Sequence, residues 1–190
     1  SRGWDWCSGY HYSDSVIIGF GSEHLSGTGI GDLGDIALLP VTCKNQTKAT
    51  FSHGAERVRP GYYSLTLQNS GIHVELTATK RVAFHRYSFP ADQQDGLIRL
   101  DLRQGIGWDA WRQSQVKQES ATVVTGYRYS KGWADDQRVY FVAEFSRPVT
   151  LAQQQGDSIA VFSFKNTNEP ILVKVGLSPV SVENAKSNLH

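Results

Sequence analysis

The segment from Gly19 to Asp35 is the part of this sequence whose residue types are best suited to binding a ligand. Five of the chain's eighteen glycines lie between Gly19 and Gly31, and Gly34 follows them. A backbone with so few Cβ atoms can adopt positive φ values repeatedly and can approach a ligand closely. The polar side chains among these glycines suit the hydroxyl groups of a sugar, so we expect a binding loop that makes its contacts through His24, Ser26, Thr28, Asp32 and Asp35.

Asp32 and Asp35 lie three residues apart around Gly34, and two roles remain open for them. They could hydrogen-bond a ligand or a neighbouring domain, or each could cap its own turn through side-chain bonds to the backbone. A catalytic pair is the least favoured role. Glycoside hydrolysis needs two carboxyl groups on opposite sides of the scissile bond, ~5 Å apart for retention and ~6.5–9.5 Å apart for inversion. Two aspartates on one tight turn do not bracket a bond in this way, so we assign no catalytic residue to this chain.

Other motif-based activities find no support in the sequence. The run from Gly29 to Gly34 matches the G-x-G-x-x-G pattern of dinucleotide-binding proteins, but a strand-like run follows it where that motif requires a helix. The six histidines show no H-E-x-x-H or Cys/His spacing typical of zinc sites. The sequence also lacks a G-x-S-x-G nucleophile elbow, and the glycine-rich segment does not match the D-x-[DN]-x-[DN]-G pattern of a calcium loop.

Four Trp or Tyr residues open the chain between Trp4 and Tyr12. Aromatic faces stack on the C–H faces of sugars, and Trp and Tyr keep a polar group for a hydroxyl. The alternative is an aromatic cluster that covers the edge of a sheet. We favour a site for the cluster as a whole because it lies near His24 in the sequence, and we include Trp6 among the predicted sugar contacts. For the stretch 108–111, with its two tryptophans, we favour core packing or an interface.

The overall composition excludes several classes of partner. Nineteen Lys and Arg residues balance eighteen Asp and Glu residues, which leaves no basic stripe for nucleic acid or a membrane surface. No apolar run reaches about 18 residues, so we expect no membrane insertion. Charged residues make up 19% of the chain and aromatic residues 11%, a combination that suits neutral, polyhydroxylated ligands. We expect Cys7 and Cys43 to be free thiols, with a disulfide between them as the alternative.

Alternation of apolar and polar residues from about Gly61 onward predicts the strands that must position these side chains. The alternating runs, each bounded by turn residues, are 63–67, 72–78, 82–89, 97–102, 121–129, 138–145, 158–165 and 171–177. Many short strands without a long helix predict an all-β protein, an antiparallel β-sandwich of two layers. The run 35–40 adds a buried strand, and 181–189 is helical with Ser181 as its N-cap. We divide the chain into a β-sandwich domain, residues 1–180, and the start of a helical connector, residues 181–190.

Specific motifs are spread over nearly the whole chain. They are Trp6-Cys-Ser-Gly-Tyr, Ile18-Gly-Phe-Gly-Ser-Glu-His-Leu-Ser-Gly-Thr-Gly, Gly31-Asp-Leu-Gly-Asp, Pro60-Gly-Tyr-Tyr, Glu75-Leu-Thr-Ala-Thr, His85-Arg-Tyr-Ser-Phe-Pro and Val173-Lys-Val-Gly-Leu-Ser-Pro-Val-Ser-Val-Glu-Asn-Ala. Together they resemble the N-terminal domain of glycoside hydrolase family 92. The run Gly21-Ser-Glu-His24 departs from the usual family sequence in its middle positions, while His24 itself matches.

This resemblance implies a calcium-dependent, exo-acting, inverting α-mannosidase in which a β-sandwich precedes an (α/α)6 catalytic barrel. In that family the general acid and general base lie on the barrel. The chain is therefore expected to be inactive alone and to supply one wall of a pocket for a mannose-containing glycan, with its own C-terminal catalytic domain as partner. Calcium is expected to be held mainly by that domain. The family is mostly bacterial, which implies a periplasmic, cell-surface or secreted location.

The two ends of the chain indicate a longer parent protein. The chain opens on Ser1 and contains no methionine, and its last helix reaches the end of the sequence without a C-cap. We therefore expect a mature or trimmed fragment whose helix leads into the catalytic domain. The alternative is a free-standing carbohydrate-binding β-sandwich module, although an independent module would usually end in a strand.

Overall fold

Fourteen strands and one α-helix make up the regular structure of residues 9–23, 32–105 and 109–189, which the computed structural model of the chain describes. The helix is α1 (Val182–Asn188), and a short 3₁₀ turn lies at His53–Ala55. In chain order the strands are β1 (Val16–Ile17), β2 (Ala37–Val41), β3 (Ala49–Thr50), β4 (Arg57–Arg59), β5 (Tyr62–Thr66), β6 (His73–Ala78), β7 (Val82–Ser88), β8 (Asp95–Asp101), β9 (Ala110–Gln118), β10 (Val123–Lys131), β11 (Gln137–Phe145), β12 (Thr150–Gln155), β13 (Ile159–Lys165) and β14 (Ile171–Ser178).

The strands form two main sheets that pack face to face. The larger sheet has eight strands in the order β4-β5-β6-β7-β14-β11-β10-β9, and the smaller has four in the order β12-β13-β8-β2. β1 and β3 form a separate two-stranded sheet. Every strand pairing within the described residues is antiparallel. The prediction of an all-β, two-layered antiparallel sandwich is confirmed.

The hydrophobic core lies between the inner faces of the two sheets. Alternation buries every second side chain, so that Val173 and Val175 of β14 are fully buried while Lys174 between them is partly exposed. Aromatic rings from the two sheets meet in this core, since the ring centroids of Phe145 in β11 and Phe162 in β13 are 5.8 Å apart. The sandwich is thus a rigid support for the loops at its ends.

The alternation pattern does not predict β4, β9 or β12. All three lie at sheet edges. Every residue of β4 is exposed, β12 buries none of its residues fully, and β9 buries only Ser114 and Val116. Polar and charged edge strands are a common defence against pairing with other chains. The apolar signal that marks a central strand is therefore absent from these three.

The helix α1 confirms the predicted C-terminal helix. The Oγ of Ser181 accepts a hydrogen bond from the N–H of Asn184 at 3.1 Å, as expected for the N-cap. Gly176 of β14 allows the helix to approach the larger sheet closely, because a Cβ there would lie 2.6 Å from the carbonyl oxygen of Ala185. No helix within the described residues is long and apolar enough to cross a membrane. Cys43 has a free, exposed thiol.

Candidate functional site

The two limbs of the predicted binding loop run side by side at one end of the sandwich. Phe20 and Leu38 exchange both of their backbone hydrogen bonds, at 2.8 and 3.1 Å, and the N–H of Ser22 donates to the carbonyl oxygen of Asp35 at 3.2 Å. Because these limbs are paired, Glu23 on one limb and Asp32 on the other line the same cavity. The predicted contacts Trp6, His24, Ser26 and Thr28 lie outside the described residues and remain predictions.

The backbone of the second limb is unusual. Leu33, Gly34 and Ile36 have positive φ values of 64°, 79° and 54°. Glycine adopts such values freely, as expected for Gly34, whereas a β-branched residue such as Ile36 seldom does. Strain of this kind is of order 1–3 kcal/mol and persists only where the surrounding structure enforces it. The side chain of Ile36 is fully buried, which anchors this limb in the core.

Asp35 lies in a buried network around Arg128 of β10. One guanidinium nitrogen of Arg128 is 2.6 Å from Asp35 Oδ1, the other is 2.6 Å from Asp109 Oδ2, and the Nε donates to the carbonyl oxygen of Leu102 at 2.8 Å. Both ion pairs lie between almost completely buried side chains. Arg128 thereby joins three segments that are distant in the sequence.

The side chains of Asp35 and Arg128 are completely buried. Burial raises the pKa of Asp35 to about 7, the Arg128 charge opposes this shift, and the charge of Asp109 adds to it. A buried charge needs a partner of opposite sign, because desolvation otherwise disfavours the charged form. In the described structure Asp35 therefore binds Arg128, and its predicted contact with a sugar stays a prediction.

Asp32 is also completely buried, and it holds a turn that belongs to another part of the chain. Its Oδ2 accepts hydrogen bonds from the backbone N–H of Trp133 at 2.6 Å and from the Nε2 of Gln137 at 2.7 Å. A Cβ at Gly132 would lie 2.2 Å from Asp32 Oδ1, so only glycine fits against this carboxylate. The carboxylate thus caps the distant turn that joins β10 to β11 and not its own turn, and its predicted contact with a sugar stays a prediction.

A cavity of about 890 Å³ opens at this end of the sandwich. Glu23 and Asp32 lie in its wall together with Trp133, Gln137 and Arg138 of the β10–β11 region. The cavity continues past the turn between β6 and β7 towards α1. The indole of Trp133 stands at this cavity with 71% of its surface exposed. Such a mixture of one aromatic face and a few polar groups is typical of small-molecule sites.

Sequence reasoning identified neither Trp133 nor Glu23 as a candidate. A signal for Trp133 was present, because a tryptophan inside the polar turn 132–136 has no role in a hydrophobic core. Glu23 is mostly buried, and its Oε1 has no hydrogen-bond partner among the residues that the structure describes. Burial raises the pKa of Glu23 to about 7, with the Asp35 charge adding to this shift and the Arg128 charge opposing it. This carboxyl group can therefore donate or accept a hydrogen bond near neutral pH.

The described part of the opening aromatic cluster packs against another region. The ring of Tyr12 stacks on His53 with a centroid distance of 4.3 Å, and His53 Nδ1 is 2.5 Å from Glu56 Oε2. The hydroxyl of Tyr10 donates to Glu56 at 3.3 Å, and that of Tyr63 donates to the same carboxylate at 2.6 Å. These residues are not among those that line the cavity beside Asp32. Within the described residues, the tyrosines and the glycine-rich limbs therefore do not share one pocket.

Comparisons with known proteins point to one family over nearly the whole chain. The family model of the glycosyl hydrolase family 92 N-terminal domain matches residues 1–178. The structure is similar to that of the family GH92 α-mannosidase BT3965 from Bacteroides thetaiotaomicron, with 27% identity, a TM-score of 0.87 and coverage of 100% of this chain and 30% of that chain. BT3965 has also been solved in complex with mannoimidazole.

Two further solved structures are similar. The GH92 family glycosyl hydrolase ccman5 has 26% identity and a TM-score of 0.80, over 98% of this chain and 29% of that chain. The family GH92 inverting mannosidase BT2199 from Bacteroides thetaiotaomicron VPI-5482 has 26% identity and a TM-score of 0.76, over 99% of this chain and 29% of that chain. The chain thus spans less than a third of the length of these relatives. No curated protein matches it.

Proposed function

This chain belongs to the family of glycosyl hydrolase family 92 N-terminal domains, and on that premise we propose that it is the non-catalytic N-terminal domain of a calcium-dependent, exo-acting, inverting α-mannosidase. It supplies part of the mannose-binding pocket and the interface to a C-terminal (α/α)6 catalytic domain of the same protein. The observation that carries this proposal is the cavity beside Asp32. It is lined by Glu23 from the loop that bears the family motif and by the exposed Trp133 from the β10–β11 turn.

The state of the carboxyl groups supports a non-catalytic role. Glycoside hydrolysis requires one carboxyl group to protonate the leaving oxygen and a second to activate water or attack the sugar. Among the described residues at this end, Asp32 holds the β10–β11 turn, and Asp35 and Asp109 are paired with Arg128. Of the carboxyl groups that line the cavity within the described residues, Glu23 alone is partly exposed. One carboxyl group cannot perform both steps, so we place the general acid and base on the catalytic domain.

A calcium ion does not fit the described residues of this chain. Within residues 9–23, 32–105 and 109–189, no group of three or more His, Cys, Asp and Glu side chains is arranged to hold a metal. The buried pair of Asp35 and Asp109 has the guanidinium of Arg128 between its carboxyl groups, and this charge would repel a cation. We therefore derive no catalytic step from calcium here and propose that the remainder of the protein holds it.

The solved relatives support mannose as the sugar. Two of them are described as an α-mannosidase and an inverting mannosidase, and one was solved with mannoimidazole. The natural ligand that we propose is accordingly a mannose-containing glycan, and the family's mostly bacterial members favour a periplasmic, cell-surface or secreted location. Residues 1–180 form the sandwich domain, and 181–190 begin the connector to the catalytic domain.

Hydrolysis by the whole gene product tests this proposal. We expect the whole protein to release mannose from an aryl α-mannoside with inversion, which NMR detects from the first anomer formed. We also expect it to lose activity when calcium is chelated. The 190-residue chain alone should show no hydrolysis above a buffer blank. Inactivity of the whole protein on α-mannosides, or activity of the chain alone, would contradict the proposal. Mannoside binding by a gene product that lacks a catalytic domain would instead support a free-standing carbohydrate-binding module.

A further inference from the structure

We propose that the indole of Trp133 is a stacking surface for a neutral hexopyranose at the mouth of the cavity, and that Asp32 is the residue that positions it. The identity of the sugar, mannose, rests on the proposed function above. The placement of the indole rests on the geometry of the β10–β11 turn alone.

The exposure of Trp133 is the first observation. With 71% of its surface exposed, this indole is far from the core. Trp111, in comparison, is 41% exposed, donates from its Nε1 to Ser114 Oγ at 3.1 Å and lies under the guanidinium of Arg103. Within the described residues the indole of Trp133 makes no hydrogen bond and no ring contact. Its apolar face is therefore available to a partner, and tryptophan is well suited to stack on such a partner through its large ring.

The rigidity of the turn is the second observation. Asp32 Oδ2 accepts the backbone N–H of Trp133 at 2.6 Å, and Gly132 sits directly against the same carboxylate. The turn is closed further by the Gly132 N–H, which donates to the carbonyl oxygen of Ala134 at 3.0 Å, and by the ion pair of Lys131 with Asp135. An exposed side chain on a backbone held by a fully buried anchor is pre-organised, which reduces the entropy lost on binding.

The polar groups around the indole indicate a neutral, hydroxylated ligand. Glu23 and Gln137 line the same cavity. The carboxyl group of Glu23 is available to hydroxyl groups, whereas the Gln137 amide is already bonded to Asp32 and Ser130. Three basic side chains also line the cavity. The guanidinium of Arg138 is paired with Asp136 at 2.9 Å, Arg81 donates to Asn188 Oδ1 at 3.4 Å, and Lys80 lies in the turn between β6 and β7. An apolar ring face beside a few hydrogen-bonding groups matches the two sides of a sugar ring.

Direct binding to the whole gene product tests the stacking role, with methyl α-mannoside as the probe and calorimetry as the measurement. Trp133→Ala should weaken binding by about tenfold, which corresponds to about 1.4 kcal/mol. Trp133→Phe, which keeps an aromatic face, should lose less. Trp111→Ala is the matched control and should bind like the wild type. Equal affinities of Trp133→Ala and Trp111→Ala, or no binding of the probe by the wild type, would overturn the proposal.

Substitutions of Asp32 test its positioning role. Asp32→Ala removes the acceptor of the Trp133 N–H and should weaken binding as much as Trp133→Ala. Asp32→Asn keeps an acceptor oxygen in place and should restore most of the affinity. If both variants bind like the wild type while unfolding at lower temperature, Asp32 has only a structural role. The thermal midpoint of each variant shows whether it has folded.

The outcomes separate this inference from the proposed function. Mannoside binding that depends on Trp133 without hydrolysis would refute the proposed function and leave the stacking site standing. Hydrolysis with normal probe binding by Trp133→Ala would refute the stacking site alone. If that variant binds normally but its two domains unfold in separate transitions, the indole is a contact to the catalytic domain, which also overturns the inference.

Discussion

The carboxylate of Asp32 accepts the backbone N–H of Trp133 at 2.6 Å across a separation of 101 residues in the sequence. This bond joins the glycine-rich limb at residues 32–36 to the turn between β10 and β11. It makes the shape of the cavity depend on both segments at once. The same carboxylate explains why position 132 is a glycine, since any larger residue would meet its oxygens.

Gly132→Ala should therefore destabilise the chain. The added Cβ would lie 2.2 Å from Asp32 Oδ1, so the turn or the carboxylate must move. We expect a loss of about 1–3 kcal/mol in the free energy of unfolding, and about 2–4 °C in the thermal midpoint for each kcal/mol in a chain of this size. Gly54→Ala is the control, because the nearest atom to its Cβ is 3.7 Å away. Equal midpoints for the two variants would contradict the tight contact.

Arg128→Met should be more damaging than any exposed arginine substitution. It leaves the buried carboxyl groups of Asp35 and Asp109 without their counter-charge. Breaking a buried ion pair on one side costs about 3–5 kcal/mol, whereas Arg138→Met removes an exposed pair that is screened by solvent and contributes little to stability. Urea unfolding of both variants provides the comparison. A loss for Arg128→Met no larger than that for Arg138→Met would show that the network does not support the fold.

His85 should make the chain sensitive to acid. It is buried beside Tyr87, whose hydroxyl lies 2.7 Å from its Nδ1, and burial lowers the pKa of His85 to about 4. The pKa in the unfolded chain is about 6.5, so the unfolded state takes up the proton first as the pH falls. The stabilisation is complete above pH 6.5 and is lost between pH 6.5 and about 4, by about 3 kcal/mol at most.

Denaturant unfolding of the wild type and of His85→Leu between pH 4 and 7 measures this effect. The variant should lose the part of the pH dependence that comes from His85, whatever its stability at pH 7. His73→Asn controls for the removal of a histidine from a partly exposed position. Parallel curves for the wild type and His85→Leu would rule out a role for His85 in the acid response.

Glu23 should make the stability of the chain depend on pH in the direction opposite to that of His85. Its pKa is raised to about 7, first by burial and then by Asp35, so the folded state holds this proton more tightly than the unfolded state. The stability that it contributes is complete below about pH 4 and is lost as the pH rises to about 7. Glu23→Gln should therefore stabilise the chain by at least about 1 kcal/mol at pH 8 and have little effect at pH 4.

The measurement is the free energy of unfolding of Glu23→Gln and the wild type at both pH values. Glu144→Gln, at a partly exposed position on β11, is the control. A stabilisation that is the same at pH 4 and pH 8 would show that the charge of Glu23 is not the cause. Because Glu23 and His85 titrate over overlapping ranges with opposite signs, the wild-type profile alone cannot separate them.

Most of the sandwich follows from local patterns in the sequence. The alternation of β14 and the hairpin at 69–71 needed no knowledge of distant residues, and Gly71 takes the positive φ of 68° that this turn requires. The edge strand β9 was not predicted, because its mostly polar side chains show no alternation with apolar ones. Local physics therefore predicts central strands well and edge strands poorly.

The sequence predicted one side of the candidate site and missed the other, because it does not show which distant residues pair. The glycine run and its polar residues marked Asp32 and Asp35 as unusual. Their observed partners, Trp133 and Arg128, come from the other half of the chain. Nothing in the residue types near 128–133 indicates which carboxylate they meet, because that choice depends on how the strands are ordered in the larger sheet. Long-range pairing of charges was thus the missing information.

The separation of these partners has a consequence for the order of folding. Closing a loop of about 100 residues has an entropic cost that must be met before the contacts it creates can stabilise the chain. The Asp32 carboxylate binds residues 101 and 105 positions away, in the β10–β11 turn and at the start of β11. Local hairpins such as β5–β6 and β10–β11 have no such requirement. We therefore expect the cavity to take shape only in the last kinetic phase of folding, after the hairpins have paired.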